Sequence, residues 1–141
     1  MEFFTFRLTC PSDNAEIATE LEVCAPGSSM GEACRAIWDT GATGSMIAAD
    51  LAKRLKLSPC GETRILGVHG SQKAKVYKVD VVFSQAGVIL PDVRVSEADS
   101  GGGFDLLVGM DIIGRGMFGI YGNGESLSVV FGLPLSSSIS S

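Results

Sequence analysis

The chain has one histidine, His69, and its four cysteines (Cys10, Cys24, Cys34, Cys60) show no C-x2-C or comparable spacing. Without a second imidazole or a paired thiol motif, neither a metal centre nor any other cofactor is implied. Basic residues are also scarce, eleven against sixteen acidic ones, giving a formal charge of −5. A nucleic-acid partner is not expected of such a chain, because polyanion binders concentrate Lys and Arg. The loose cluster Arg64, Lys73, Lys75, Lys78 is too sparse for that purpose. No apolar run is long enough to span a bilayer, and MEFFTFRLTC lacks the basic and apolar regions of a secretory leader. These absences predict a soluble, cytoplasmic protein with free or buried thiols. Cys24 and Cys34 bracket the loop APGSSMGEA and could be bridged only in an oxidising compartment.

What is present suits a small β-rich domain. Of 141 residues 18 are glycine and 45% are hydrophobic, enough for a buried core and for many turns. FFTFRLTC, AEIATELEV and ACRAIW read as strands, the last apolar and ending at Asp39. From Ser45 the spacing of Met46, Ile47, Leu51, Leu55 and Leu57 predicts a helix with Ser45 as its N-cap, stopped by Ser58-Pro59. TRILGVHGSQKAKVYKVDVVF predicts a long hairpin, and VILPDVRVSE a strand in which Pro91 favours an edge or bulge. DLLVGMDIIGRG is an apolar burst running into a short helix or turn. FGIYGNGESLSVVF closes the chain as a hairpin turning at Gly122-Asn123-Gly124, and the serine-rich LSSSISS follows as a tail. One domain over residues 1–135 and a flexible tail over 136–141 are expected.

Between the strand ACRAIW and the predicted helix lies DTGATGS, residues 39–45. By itself it has three readings. It can be a connector whose Asp and Thr bond nearby backbone while glycines supply unusual torsions. It can be an anion cradle, although no basic residue falls in the loop and Asp39 would repel a phosphate. Or it can present a carboxylate for acid–base work. Hydrolysis of a peptide by water needs one group to accept a proton and another to donate one, and two carboxylates sharing a proton do both; aspartic proteases are the standard example of that arrangement.

Three features together favour the third reading. The segment around Asp39-Thr40-Gly41-Ala42-Thr43 resembles the active-site loop of retropepsins, the retroviral-type aspartic proteases, whose pattern is apolar-apolar-Asp-Thr-Gly-Ala-[ST]. The glycine-bearing hairpin Leu66-Gly67-Val68-His69-Gly70 is similar to their flap. Leu106-Leu107-Val108-Gly109-Met110-Asp111 is similar to the apolar-apolar-Gly element threaded behind their catalytic loop. The likeness spans roughly residues 15–131, and it departs from the family at Trp38, where a smaller aliphatic residue is expected.

The resemblance implies a mainly β, closed-barrel-like acid protease fold, with one principal helix near 45–57 and a short C-terminal helix or turn near 111–117. It implies an aspartic endopeptidase in which Asp39, Thr40 and Gly41 form the catalytic loop. Ala42, Gly67, Val68, His69 and Gly70 would meet the substrate, and Val108 and Gly109 would support the loop. Asp99-Ser100-Gly101 also fits D-[ST]-G. Only 60 positions separate it from Asp39, however, too few for a second lobe, and its polar context predicts a plain loop. The partner carboxylate is therefore expected from a second copy across a two-fold axis, with an extended polypeptide as substrate. The alternative is a monomeric or proteolytically silent peptide-binding module of the same fold. Asp105 and Asp111 are expected to cap short elements or to pair with a cation such as Arg115, and Cys60 to be structural. At a hairpin tip His69 reads first as an exposed turn residue.

Overall fold

The computed structural model describes residues 3–11, 16–67, 70–99, 101 and 103–134. Ten strands and two short helices follow in the order β1 (Phe3–Pro11), β2 (Ile17–Cys24), β3 (Gly31–Trp38), β4 (Met46–Ala48), α1 (Ala49–Arg54), β5 (Gly61–Gly67), β6 (Gly70–Phe83), β7 (Val88–Ala98), β8 (Leu106–Val108), α2 (Met110–Ile113), β9 (Met117–Gly122) and β10 (Ser126–Pro134). The serine-rich tail and the hairpin tip Val68-His69 lie outside the described residues.

Seven strands form one sheet, ordered β2-β3-β8-β4-β7-β6-β5, and β2 also pairs with β6. That extra pairing closes six strands into a barrel and leaves β5 attached only through its hairpin with β6. Closure removes the free edges that a six-stranded sheet would otherwise expose. Inward-facing apolar residues fill the barrel. Tyr77, Val79, Val81 and Phe83 of β6 are buried with Val93 and Val95 of β7, Leu21 and Val23 of β2, and Leu106 and Val108 of β8. Opposite Pro91 the register shifts between Val79 and Val81, and Asp92 takes a positive φ of 53°. Asp80 secures this bulge by accepting the Asp92 N–H at 3.0 Å, and it also holds the β2–β3 loop by accepting the Gly27 N–H at 2.9 Å.

A second sheet, β1-β10-β9, is entirely antiparallel. Trp38 joins it to the barrel. The indole stacks on Phe118 at 5.3 Å and tilts against Phe131 at 5.2 Å, while Nε1 donates to Thr19 Oγ1 at 2.8 Å. The large residue at this position is thus accommodated by a sheet that supplies two rings and by a hydroxyl that satisfies its buried N–H.

The helix expected over 45–57 forms only in part. Residues 46–48 are a strand, parallel to Ser96–Ala98 of β7 and antiparallel to Leu106–Leu107 of β8. Ladder bonds from two neighbours outweigh a local 3.6-residue pattern that is too short to decide the conformation alone. The N-cap is Ala48, without a side-chain cap, rather than Ser45. The helix ends before Ser58-Pro59, because Lys56 adopts φ 54° and the Leu57 N–H turns back to the Ala52 carbonyl at 3.1 Å, in a Schellman arrangement. The short C-terminal helix occupies 110–113, and Met117 already belongs to β9.

Cys24 and Cys34 are buried, unbridged thiols, whereas Cys60 is exposed. Burial, then the Asp105 carboxylate, pushes Cys34 up to about 12; burial, then its hydrogen bond to Glu97, pushes Tyr77 up to about 12. Both groups are neutral in the fold and ionise earlier once unfolded, from 9.0 for Cys34 and 10.0 for Tyr77. Stability from this source is complete below pH 9 and declines as pH rises toward 12. The urea midpoint is therefore expected to fall over that range, and to fall less in Cys34→Ala. An equal alkaline slope in the two proteins would contradict this account. Replacing Trp38 by Ala is expected to cost about 3–5 kcal/mol in the same measurement.

Candidate active site

The loop 39–45 leaves β3 and enters β4, and β8 lies between those two strands. The β3–β8 ladder ends at the pair Trp38–Val108, and the Asp39 N–H extends it by donating to the Val108 carbonyl at 2.9 Å. Asp39 is thereby fixed at a strand end, half-buried. Its Oδ1 accepts the Gly41 N–H at 2.8 Å and its carbonyl accepts the Ala42 N–H at 3.2 Å, which folds the loop into a tight turn. A Cβ on Gly41 would stand 3.2 Å from Asp39 Oδ1, so glycine leaves the carboxylate its room. Thr40 and Gly41 are exposed, and Ala42 is partly so.

Beneath the loop, Gly109 is packed without space for a side chain. A Cβ there would meet the Gly44 carbonyl atoms at 2.8 Å and the Ala42 oxygen at 2.9 Å. The first turn of α2 then bonds the loop directly, with Met110 N–H to the Ala42 carbonyl at 2.7 Å and Asp111 N–H to the Thr43 carbonyl at 3.2 Å. Asp111 does not pair with the Arg115 guanidinium through its carboxylate. Arg115 Nε reaches its backbone carbonyl at 3.1 Å, while the carboxylate takes Ser45 Oγ–H at 2.7 Å and Ser45 N–H at 3.1 Å. Sequence reasoning assigned Ser45 to a cap and missed this contact. The two residues lie 66 positions apart, and no local pattern links them.

Of the expected residues, Gly70 and the rival Asp99 line a cleft next to the loop, whereas Asp39, Thr40, Gly41 and Ala42 are not among its lining residues. Gly67 and Gly70 pair at the end of the β5–β6 hairpin, with Gly70 at φ 101°. Between this hairpin and the β4–β7 ladder the cleft opens to about 760 Å³, lined by Met46, Ala49, Ile65, Gly70, Gln72 and Glu97 among others. Asp99 stands just past β7 on the cleft wall, with Gly101 N–H donating to its Oδ1 at 3.3 Å. Asp105 is held by Arg35, whose N–H donates to Oδ2 at 2.8 Å, and the Arg35 guanidinium binds the Gly103 carbonyl and Glu16. Among the described residues, no three His, Cys, Asp or Glu side chains are grouped to hold a metal, and no helix is long and apolar enough to cross a membrane.

A strand-end Asp-Thr-Gly loop backed by an apolar-apolar-Gly strand inside a closed barrel is the architecture of the aspartic proteases. The chain belongs to the family described as aspartyl protease, which matches residues 25–112. Its fold is retropepsin-like. It is similar to a retropepsin-like aspartic protease from Rickettsia conorii, with a TM-score of 0.58 and 15% identity, covering 94% of this chain and 95% of that one. It is also similar to the EIAV protease solved with the inhibitor HBY-793, with a TM-score of 0.55 and 21% identity, covering 73% of this chain and 89% of that one. No curated protein matches the sequence. Family and fold together support aspartic protease activity in general terms.

Since the three atoms nearest the missing Cβ of Gly109 are all backbone, Gly109→Ala is expected to lower the unfolding free energy by about 1–3 kcal/mol, the usual cost of overpacking. The shift of the urea midpoint measures it. An unchanged midpoint would mean that loop 42–44 yields freely.

Proposed function

We propose that the protein is an aspartic endopeptidase acting as a homodimer, in which Asp39 of each copy supplies one carboxylate. The observation that carries this reading is the placement of Asp39. It ends a buried strand, is braced by the Val108 carbonyl, and offers a half-buried carboxylate in a turn with glycine beside it. A single carboxylate cannot both accept and donate in one step, and Asp99 lacks comparable support. Two Asp39 side chains meeting on a two-fold axis would share one proton, since like charges at about 3 Å cannot both ionise. The ionised member draws a proton from the bound water, whose oxygen attacks the peptide carbonyl. The protonated member gives its proton to the carbonyl oxygen as the tetrahedral intermediate forms. Collapse of that intermediate breaks the C–N bond, and the amine leaves with a proton returned through the dyad. Thr40 borders the axis and braces the partner's loop. The substrate extends from the loop, where it meets Ala42, along the cleft, bonding to the β5–β6 hairpin and placing side chains against Met46 and Ile65.

Asp39→Asn is expected to abolish cleavage of an unstructured polypeptide, a loss of at least about a thousandfold in kcat/KM, while the protein still sediments as the wild type does. Cleavage that survives the substitution, or a wild type that stays monomeric at high micromolar concentration, defeats the proposal. The second result would favour a proteolytically silent peptide-binding module.

A further inference from the structure

The Asp111 carboxylate gathers three donors from two segments of chain. Ser45 Oγ–H and Ile112 N–H reach Oδ1 at 2.7 and 3.0 Å, and Ser45 N–H reaches Oδ2 at 3.1 Å. The Ser45 hydroxyl also accepts the Gly109 N–H at 3.0 Å. Its one hydrogen is thus committed to Asp111, giving a directed relay from Gly109 N–H through Ser45 to the carboxylate. Ser45 is only 2% exposed and its bond from Gly109 is buried, whereas Asp111 reaches solvent, so its own bonds to Ser45 and Ile112 are part-buried. The same short span, Gly109 to Ile112, bonds the carbonyls of Ala42 and Thr43. The loop that begins at Asp39 is therefore held at its far end by the Asp111 carboxylate together with backbone bonds, among them Ser96 N–H to the Ser45 carbonyl at 3.1 Å, with β8 setting its near end.

We infer that Asp111, acting through Ser45, is a positioning residue that sets where the Asp39 carboxylate stands relative to its partner. The inference rests on the reading of Asp39 as half of a dyad. A shared proton requires two carboxylate oxygens to be held at hydrogen-bond distance, and an ångström of slack in the loop separates them. Asp111 touches neither substrate nor water in this scheme. Loosening the clamp weakens the coupling between the carboxylates. The two apparent pKa values of the dyad then approach one another, and the window in which exactly one proton is bound narrows. A lesion of stability alone would lower the active fraction at every pH and leave the width of the profile unchanged.

The test compares wild type with Asp111→Ala, Asp111→Asn, Ser45→Ala and the double variant Ser45→Ala/Asp111→Ala. Rates are measured on a peptide substrate across pH, and amide hydrogen exchange at residues 43–45 and 109 is measured in parallel. Asp111→Ala is expected to lower kcat about 10–100-fold, the scale of a small misplacement at a reacting centre. KM should stay within about threefold, and the pH profile should narrow. Asp111→Asn keeps an acceptor for the Ser45 hydroxyl and should recover part of the loss. The double variant should be no worse than Asp111→Ala. Exchange at Ser45 and Gly109 should accelerate at least about tenfold with global unfolding little altered. A folded Asp111→Ala protein with wild-type kcat, profile width and exchange would overturn the inference while leaving the protease reading intact. If the wild type does not cleave, or Asp39→Asn does, the protease reading fails instead. The exchange arm then still decides whether Asp111 holds the loop, and unchanged exchange overturns the clamp itself.

Discussion

Three residues, Leu106 to Val108, hold the architecture together. This short strand runs parallel to β3 on one side and antiparallel to β4 on the other, and among the described residues no other strand lies between those two. Leu106 and Val108 have no exposed surface, and each contributes on the order of 2 kcal/mol of apolar burial. Their backbone does more, because it stitches the barrel where the chain leaves the sheet to make the loop 39–45. Without β8 the loop would join two strands with nothing between them, and Asp39 would end a frayed edge. The position of the carboxylate and the closure of the barrel are thus consequences of one ladder.

This explains why Asp39 and Asp99 differ although both sit in an Asp-x-Gly turn. Each carboxylate accepts the N–H two residues on, at 2.8 Å for Gly41 and 3.3 Å for Gly101. Local chemistry builds the same turn twice. At Asp39 the main chain also bonds to a buried strand, and a glycine from a distant segment packs beneath the loop without space for a Cβ; among the described residues Asp99 shows no such contacts. The tripeptide supplies the functional groups, while the fold supplies their fixity.

The sequence was informative wherever a short stretch decides its own conformation. β-forming residues marked β2, β6 and β7, Pro91 favoured an edge or bulge and lies opposite a register shift, and Asn123 secures the last turn by accepting the N–H groups of Glu125 and Ser126. The Asp-Thr-Gly loop and the LLVG element could be recognised because their chemistry permits few residue types. It failed where distant partners compete with local preference. Met46 and Ile47 fit the helical spacing of Leu51 and Leu55, yet they form a strand because Ser96 and Leu107 flank them. Ser45 had every mark of an N-cap, a role that a serine fills with nearby N–H groups, but its partners lie more than sixty residues away. Trp38 looked like a misfit until Phe118, Phe131 and Thr19 were seen to surround it. Contacts of this kind leave no periodic trace.

The way the barrel closes has a mechanical consequence for the cleft. β2 pairs with only the last part of β6, from Asp80 to Val82, so the outer half of β6 and all of β5 project beyond the ring. Bending that projection strains a two-stranded ribbon and leaves the closing pairs and the β8 ladder untouched. The hairpin wall of the cleft is therefore built apart from the ring, and its stability is separable from the cooperative unfolding of the barrel.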